Sequence, residues 1–538
     1  MAATLSFVLA LLVTTVLLPV CRRYAPAMGL MDGAGVERKV HTSSIPRSGG
    51  IAIIGGTVVG AFLWMPPDAY YLPLMGSITI IVVVGLLDDL KDLPHQTKLV
   101  GQLMAAGLFM WAYGELPQAP FFELDAAPRW LCLLFGFGFL VGVTNGVNLS
   151  DGLDGLAAGN SLLSLCLLAI FAAQMNETGL LVLALAVAGG LLGFLRFNTH
   201  PATVFMGDTG SQFLGFTAAA LALLIMQQET IPLSPMVPVL IFGLPILDTL
   251  AVMGVRLRMG RPLFEADDNH LHHQLLRLGF KHYEVVAILY GLQAVIVSLA
   301  YLLRYESDLL ILGVYLLYCT SVLGFIFWAR TVDWRMRSQI AVGGRIERRN
   351  HWLRRLTWYQ SNAGRLLAVG VGAFLVASAL YLQASSLQLA NAAMIAVALL
   401  SAFWMYFGYQ PKLVCRLITF TASAFVVYML LEHPEAGGAF NWLIDAYLLA
   451  IAGALFLAVR MTRKSLFHLD NQDYLVLLIV ALASVLPLQW MDGGAMARVV
   501  LRLAVLLYVC EYIATKGRNT RPLLNACALG SLIVLGLS

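Results

Sequence analysis

Charge is scarce in this chain: 12% of its 538 residues are Asp, Glu, Lys or Arg, against 59% hydrophobic residues and a mean hydropathy of +0.80. That scarcity excludes a soluble globular protein. Strict apolar/polar alternation is lacking too. The apolar stretches are long runs of Leu, Ala and Val, which exclude a β-barrel and imply helical spans. The 7 cysteines are scattered, mostly inside apolar runs, with no CxxC or paired-loop pattern, so neither a disulfide framework nor a cysteine zinc site is implied. No basic residue precedes the first run, Leu5 to Val20, and Arg22 and Arg23 follow it. This is the reverse of a secretory signal and reads as an uncleaved first span. With a formal net charge of only +4, nucleic acid is not an expected partner. An all-α, polytopic membrane bundle in contact with lipid follows.

A hydrocarbon core about 30 Å thick needs roughly 20 apolar residues per helix. Dividing the chain at charges, prolines and glycine clusters gives spans near 4–21, 49–65, 69–87, 98–114, 129–147, 156–175, 178–196, 211–227, 236–255, 283–303 and 308–329. A further set falls near 363–383, 387–409, 412–431, 440–460, 473–490, 496–514 and 522–538. Arg and Lys crowd alternate loops, at Arg22 to Arg47, Arg256 to Lys281, Arg330 to Arg355, Arg460 to Lys464 and Lys516 to Arg521. By the positive-inside rule these loops are cytoplasmic and the chain starts outside. The basic, Trp-containing stretch Arg330 to Arg365 reads as a boundary, either an interfacial segment near anionic headgroups or a plain positive-inside loop. The expected organisation is a motif-bearing membrane domain 1–330, a linker 331–362 and a C-terminal membrane domain 363–538 with no chemical motif.

Four polar segments interrupt the apolar pattern, all at the cytoplasmic ends of spans. In GLLDDLKDL, Asp88, Asp89 and Asp92 close the third span at spacings that place carboxylates on one helix face. They read as a metal or proton-handling cluster, or more plainly as a solvated helix end with Lys91 as partner. In GVNLSDGLDGLAAG, Asn148, Asp151 and Asp154 stand among glycines that let backbone approach a phosphate, and a packing turn would explain the glycines but not the acids. In VFMGDTGS, Asp208 precedes a helix whose N-terminus, with Thr209 and Ser211, is expected to face a phosphate. A simple N-cap is the alternative. Asn198 lies upstream in FNTHPATVF. In DDNHLHHQLL, His270, His272 and His273 follow a basic lead with Arg256, Arg258 and Arg261, a set suited to diphosphate oxygens. Zinc and plain surface histidines are the competing readings. Asp248 sits inside the ninth span, where an acid is a functional candidate by default, or pairs with a neighbouring helix. Lys39, His41 and Arg47 form a basic loop before the second span that contacts a phosphate headgroup or serves only orientation.

This set resembles the polyprenyl-phosphate N-acetylhexosamine-1-phosphate transferases over about residues 1–330. RKVHTSSIPRSGG, DDLKD, TKLVGQ with Lys98, NLSDGLDGLAAG, FMGDTGS and HLHH occur in family order, closer to the WecA and TagO branch than to MraY. The resemblance implies transfer of a sugar-1-phosphate, with N-acetylglucosamine the default, from a UDP-sugar to undecaprenyl phosphate with release of UMP, as the first membrane step of surface polysaccharide synthesis. It implies magnesium as cofactor, with manganese as second choice, Asp208 as metal ligand and Asn148 as a second. Asp88 and Asp89 match the acids that handle the lipid phosphate. Asp151 and Asp154 match those on the nucleotide side, and His270, His272 and His273 those that bind the diphosphate. Lys39, Arg47, Asp92, Lys98, Asn148, Asn198, Asp248 and Arg261 are the expected substrate-binding set. The implied location is the bacterial inner membrane, with the site facing the cytoplasm; a homodimer is also among the expectations. A lipid-linked sugar flippase is the rival reading, but it would spread polar groups through the bilayer interior instead of gathering them at one face.

Overall fold

The computed structural model describes the chain except residues 1, 33–44, 66–70, 114–118, 123–126, 229–232, 261–268, 333, 335–356, 383–393, 395–396, 398–399, 402–410, 433–437, 462–492, 517–519 and 538. Among the described residues there is no strand, and a single isolated bridge joins Met31 and Pro46. The all-α expectation holds, with 9 helices among the described residues long and apolar enough to cross a membrane. The chain divides into two compact units, the first Met1–Ala341, the second made up of Val342–Leu469 and Ile479–Ser538.

The first unit contains α1 (Ala2–Met28), α2 (Gly49–Phe62), α3 (Leu72–Lys91), α4 (His95–Tyr113), α5 (Arg129–Leu149), α6 (Leu156–Gln174) and α7 (Thr178–Asn198). These are followed by α8 (Gly207–Met226), α9 (Val237–Ile241), α10 (Gly243–Arg258), α11 (Leu271–Arg277), α12 (His282–Leu302) and α13 (Asp308–Thr331). At its centre is α8, whose apolar stretch is 94% buried, with α6 and α7 beside it at 83% and 78%. The outer helices turn large apolar side chains outward, including Phe62, Trp111, Leu309 and Phe327, as lipid-facing surfaces do. Small residues let the central helices come close. A Cβ on Gly189 of α7 would lie 2.2 Å from the Phe7 carbonyl of α1, so the two backbones touch there.

The ninth expected span is not one helix but two, α9 and α10, broken at Phe242. The cause is Pro245, which has no N–H for the Ile241 carbonyl and whose ring would clash with it in a continuous helix. In an apolar layer the orphaned oxygen needs donors. Ser164 Oγ donates to it at 2.9 Å and Gln293 Nε2 at 2.8 Å, from α6 and α12.

The second unit contains α14 (Thr357–Tyr381), α15 (Pro411–Glu432), α16 (Gly438–Met461), α17 (Gly493–Lys516) and α18 (Arg521–Leu537). The spans expected near 387–409 and 473–490, and most of the linker 331–362, lie outside the described residues. Arg502 Nε donates to Asp445 Oδ1 at 2.8 Å, and Arg416 forms a two-point pair with Glu511. Arg502 and Glu511 project from opposite sides of α17, since helical residues advance about 100° each. That helix is therefore tied by charge to α16 on one side and to α15 on the other.

Candidate active site

The site forms where the α3 C-terminus, the start of α4, the α5–α6 loop and the α8 N-terminus meet. The strip before α2 reaches it by pairing along the chain that leads into α8. Pro46 accepts from Phe205 N at 2.8 Å, and Gly49 and Gly50 donate to the Phe205 and Met206 carbonyls at 2.9 and 2.8 Å. This brings Arg47 alongside, with Nη2 2.6 Å from Asp32 and Nη1 3.8 Å from Asp92. Burial works against the Arg47 charge, but Asp32, Asp89 and Asp208 outweigh it and hold the pKa above the ordinary value.

The two acids that end α3 have different surroundings. Asp89 Oδ1 accepts from Asp208 N at 2.9 Å, and Oδ2 accepts from Thr209 N at 2.9 Å and Thr209 Oγ1 at 2.6 Å. It is the anion at the α8 N-terminus, where free N–H groups and the helix dipole favour negative charge. The expectation that this N-terminus faces a substrate phosphate is corrected: the amides of Asp208 and Thr209 are satisfied from within. Gly207, at φ +70°, makes the fit; a Cβ there would stand 2.6 Å from Asp89 Oδ2. Asp88 Oδ1 accepts from Leu93 N at 2.8 Å, and Oδ2 pairs with Lys98 Nζ. The same ammonium is 3.5 Å from Asp208 Oδ2, so one cationic group bridges the two carboxylates.

Asp208 is about a quarter exposed, and the Asn148 carboxamide stands beside it. Asn148 Oδ1 accepts from Ser211 Oγ at 2.6 Å, and Ser211 Oγ also lies 3.1 Å from the Gly207 carbonyl. Turning the amide over costs no shape: Ser211 would keep its bond to Gly207 and accept from the Asn148 NH₂, and the amide oxygen would face Asp208. Two carboxylates already sharing a cation, with an amide oxygen in reach, are the hard-oxygen set that suits magnesium.

Asp151 lies in the α5–α6 loop. Burial, then repulsion from Asp208, Asp154 and Asp89, pushes its carboxyl up to about 7. Asp154 is 4% exposed; its Oδ2 accepts from Ala202 N at 3.0 Å and pairs with His200 Nδ1 at 2.7 Å. The His282 ring stacks on His200, centroids 4.1 Å apart and 22° between planes. Ligand atoms of Asp154, His200 and His282 lie within 4.8 Å of one another. The hydrogen-bonded pair and near-parallel rings set their lone pairs side by side, unlike the convergent set a metal takes. They form a polar wall beside Asp154.

The histidine segment packs on the same loop. A Cβ on Gly152 would lie 2.4 Å from His272 Nε2. His272 is 3% exposed, and burial, then the neighbouring His273, drives its pKa down to about 3, so it is neutral. Its ring centroid is 5.6 Å from that of His270 and 4.2 Å from that of His273.

Several expected roles change with these positions. Asp92 does not share a face with Asp88: it ends α3 in the left-handed region at φ 46° with its side chain 94% exposed, because the helix stops before it. Asn198 is no substrate contact. It is 2% exposed, its Oδ1 accepts from Gly155 N at 2.9 Å and its Nδ2 donates to the Val204 carbonyl at 3.0 Å. Asp248 is buried, and its carboxylate is taken up by His270 Nδ1 and Leu271 N. Lys39 and Arg261 lie outside the described residues. Sequence reasoning passed over His200, although it stands in the quoted FNTHPATVF, and His282, whose only signal is its place at the start of a span. It also missed the part-buried amide pair one turn before Asn148 on α5, where Asn145 Nδ2 donates to Gln102 Oε1 at 2.7 Å.

Fold and site together define a multi-pass α-helical membrane protein with an acidic centre, bridged by the Lys98 ammonium, at one end of its helices. The family model described as glycosyl transferase family 4 matches residues 71–226. Over 295 residues the chain is 36% identical to the probable undecaprenyl-phosphate N-acetylglucosaminyl 1-phosphate transferase of Bacillus subtilis, covering 53% of this chain and 80% of that protein. It is 30% identical over 308 residues to the undecaprenyl-phosphate alpha-N-acetylglucosaminyl 1-phosphate transferase of Escherichia coli K12, covering 55% and 82%. Identity to the decaprenyl-phosphate N-acetylglucosaminephosphotransferase of Mycobacterium tuberculosis H37Rv is 33% over 289 residues, covering 47% and 71%. The chain belongs to glycosyl transferase family 4.

Proposed function

We propose that this protein transfers N-acetylglucosamine-1-phosphate from a UDP-sugar to undecaprenyl phosphate, releasing UMP, at the cytoplasmic face of a bacterial inner membrane. The observation that carries the reading is the Lys98 ammonium between Asp88 and Asp208, with Asn148, Asp151 and the histidine segment around them. Basic loops on the same side as these groups support the orientation, and the names of the relatives support the substrates.

The reaction brings two anions together. The lipid phosphate has a second pKa near ~6, so it is a competent nucleophile at neutral pH, and repulsion is the main obstacle. Lys98 and Arg47 supply positive charge on the acceptor side, and His273 offers a donor to the diphosphate. Asp208, with Asn148 and Asp88 beside it, would hold magnesium, which supplies charge neutralisation for the diphosphate when bound. An oxygen of the lipid phosphate bonds to the β-phosphorus while the bond from that phosphorus to the bridging oxygen breaks, and UMP departs with the bridging oxygen. Direct attack is favoured over a covalent enzyme intermediate because both Asp89 oxygens are bound at α8 and both Asp88 oxygens are engaged.

The test is UMP release by purified protein given magnesium, undecaprenyl phosphate and a panel of UDP-sugars. The reading expects lipid-dependent release with UDP-N-acetylglucosamine. Failure with every sugar, in the presence of an acceptor verified with another enzyme, overturns it. A labelled phosphosugar on the protein overturns direct attack.

A further inference from the structure

Asp248 was expected as a substrate contact, and its position gives it a different task. Its carboxylate is 6% exposed and both oxygens are occupied by the start of the histidine segment. Oδ2 lies 2.9 Å from His270 Nδ1 and Oδ1 accepts from Leu271 N at 2.7 Å. Residue 270 is the residue before α11, so one carboxylate fixes both the imidazole and the backbone entry of that helix. The helix that carries it also touches the other half of the site. A Cβ on Gly146 of α5 would lie 3.4 Å from both Pro245 and Thr249, two residues before Asn148. α10 is thus a shared backing: Pro245 and Thr249 face the end of α5 that carries Asn148, and Asp248 holds the histidines.

We propose that Asp248 is a positioning residue that holds His270 as the Nδ1–H tautomer, so that Nε2 presents a lone pair, an acceptor for a hydroxyl or amide N–H of the UDP-sugar and not a donor to its diphosphate. A carboxylate only accepts, so the ring nitrogen it meets must carry the proton. The arrangement is the carboxylate–histidine pair that orients imidazoles elsewhere, in which the partner of the first nitrogen decides what the second presents. His270 and His272 thereby differ: His270 is oriented by a carboxylate, and His272 is packed against Gly152. The kinetic part of this inference rests on the proposed transfer reaction; the tautomer part does not.

Asp248→Asn is the informative substitution. Its amide oxygen can keep the Leu271 N–H, but its NH₂ then faces Nδ1 and selects the opposite tautomer, as Asn does at a catalytic histidine. The expected result is a kcat about 10- to 100-fold lower with KM for the UDP-sugar changed less than about 3-fold. Asp248→Glu, which keeps a carboxylate, should recover part of the rate. In the His270→Gln background, Asp248→Asn should cause little further loss, because Asp248 acts through His270. Independently of activity, ¹⁵N spectra of ring-labelled protein, assigned with His270→Gln, should show a protonated Nδ1 on His270. Multiplicative losses in the double variant, or an Nε2–H tautomer in the unmodified protein, would overturn the proposal. If Asp248→Asn fails to fold, the spectrum of the unmodified protein still decides. Should wild-type protein show no transfer while His270 is Nδ1-protonated, the reaction reading fails and the tautomer assignment stands.

Discussion

Replacing Asp89 by Asn tests whether this residue is a reactive group or the anchor of α8. The carboxylate accepts three hydrogen bonds, from Asp208 N, Thr209 N and Thr209 Oγ1. An Asn oxygen can keep the first. Its NH₂ then confronts the Thr209 N–H, donor against donor, while Thr209 Oγ1 can turn to accept. One buried N–H is left unsatisfied, which costs about 1–3 kcal/mol. The bond that remains loses its ionic character, a further loss of about 1 kcal/mol. The sum is about 2–4 kcal/mol. At about 2 °C per kcal/mol for a unit of this size, that is a fall of about 4–8 °C in the unfolding midpoint. Because Asp208 and Thr209 form the first turn of α8, the metal-side carboxylate moves with them. Thermal unfolding in detergent and UMP release should therefore fall together. A variant that unfolds like wild type yet is inactive would refute the anchoring argument and return Asp89 to a chemical role.

Gly152→Ala should impair turnover at least about 10-fold without blocking membrane insertion, since the new Cβ would sit 2.4 Å from His272 Nε2 and displace the histidine segment; normal kinetics would contradict that packing. The Asp151 carboxyl, raised from 3.8 to about 7, binds more protons folded than unfolded between those values. Its contribution to stability is therefore complete below about pH 4 and is lost as pH rises through about 7. In EDTA, Asp151→Asn should flatten the fall in unfolding midpoint between pH 5 and pH 8, whereas parallel curves would contradict it. In the second unit, Asp445→Asn removes the negative charge that Arg502 Nε meets at 2.8 Å. It should destabilise that unit by about 3 kcal/mol with UMP release unchanged, and equal loss of both would show that the two units are energetically one.

Span positions could be read from the sequence because burial in lipid demands about 20 apolar residues and leaves little latitude. The break in the ninth span was legible only in part: Pro245 is visible in FGLPILD, but the break persists because Ser164 and Gln293, remote in sequence, satisfy the Ile241 carbonyl. Helical spacing placed Asp88 and Asp92 together, and the left-handed turn at Asp92 separated them. Nothing local marks Asp89 as the partner of the α8 N-terminus, since that contact joins residues 119 and 120 positions apart. Asn198 and Asp248 read as ligand contacts because isolated polar groups between apolar runs look free; both are occupied by backbone of neighbouring segments.

The most direct test of the account is the stoichiometry of products from UDP-N-acetylglucosamine, labelled in the sugar, with undecaprenyl phosphate in liposomes holding the purified full-length protein. One UMP per lipid-linked N-acetylglucosamine diphosphate, with both products abolished by Asp208→Asn, is the predicted result. Release of UDP in place of UMP, or a labelled lipid that forms equally well without Asp208, would contradict it.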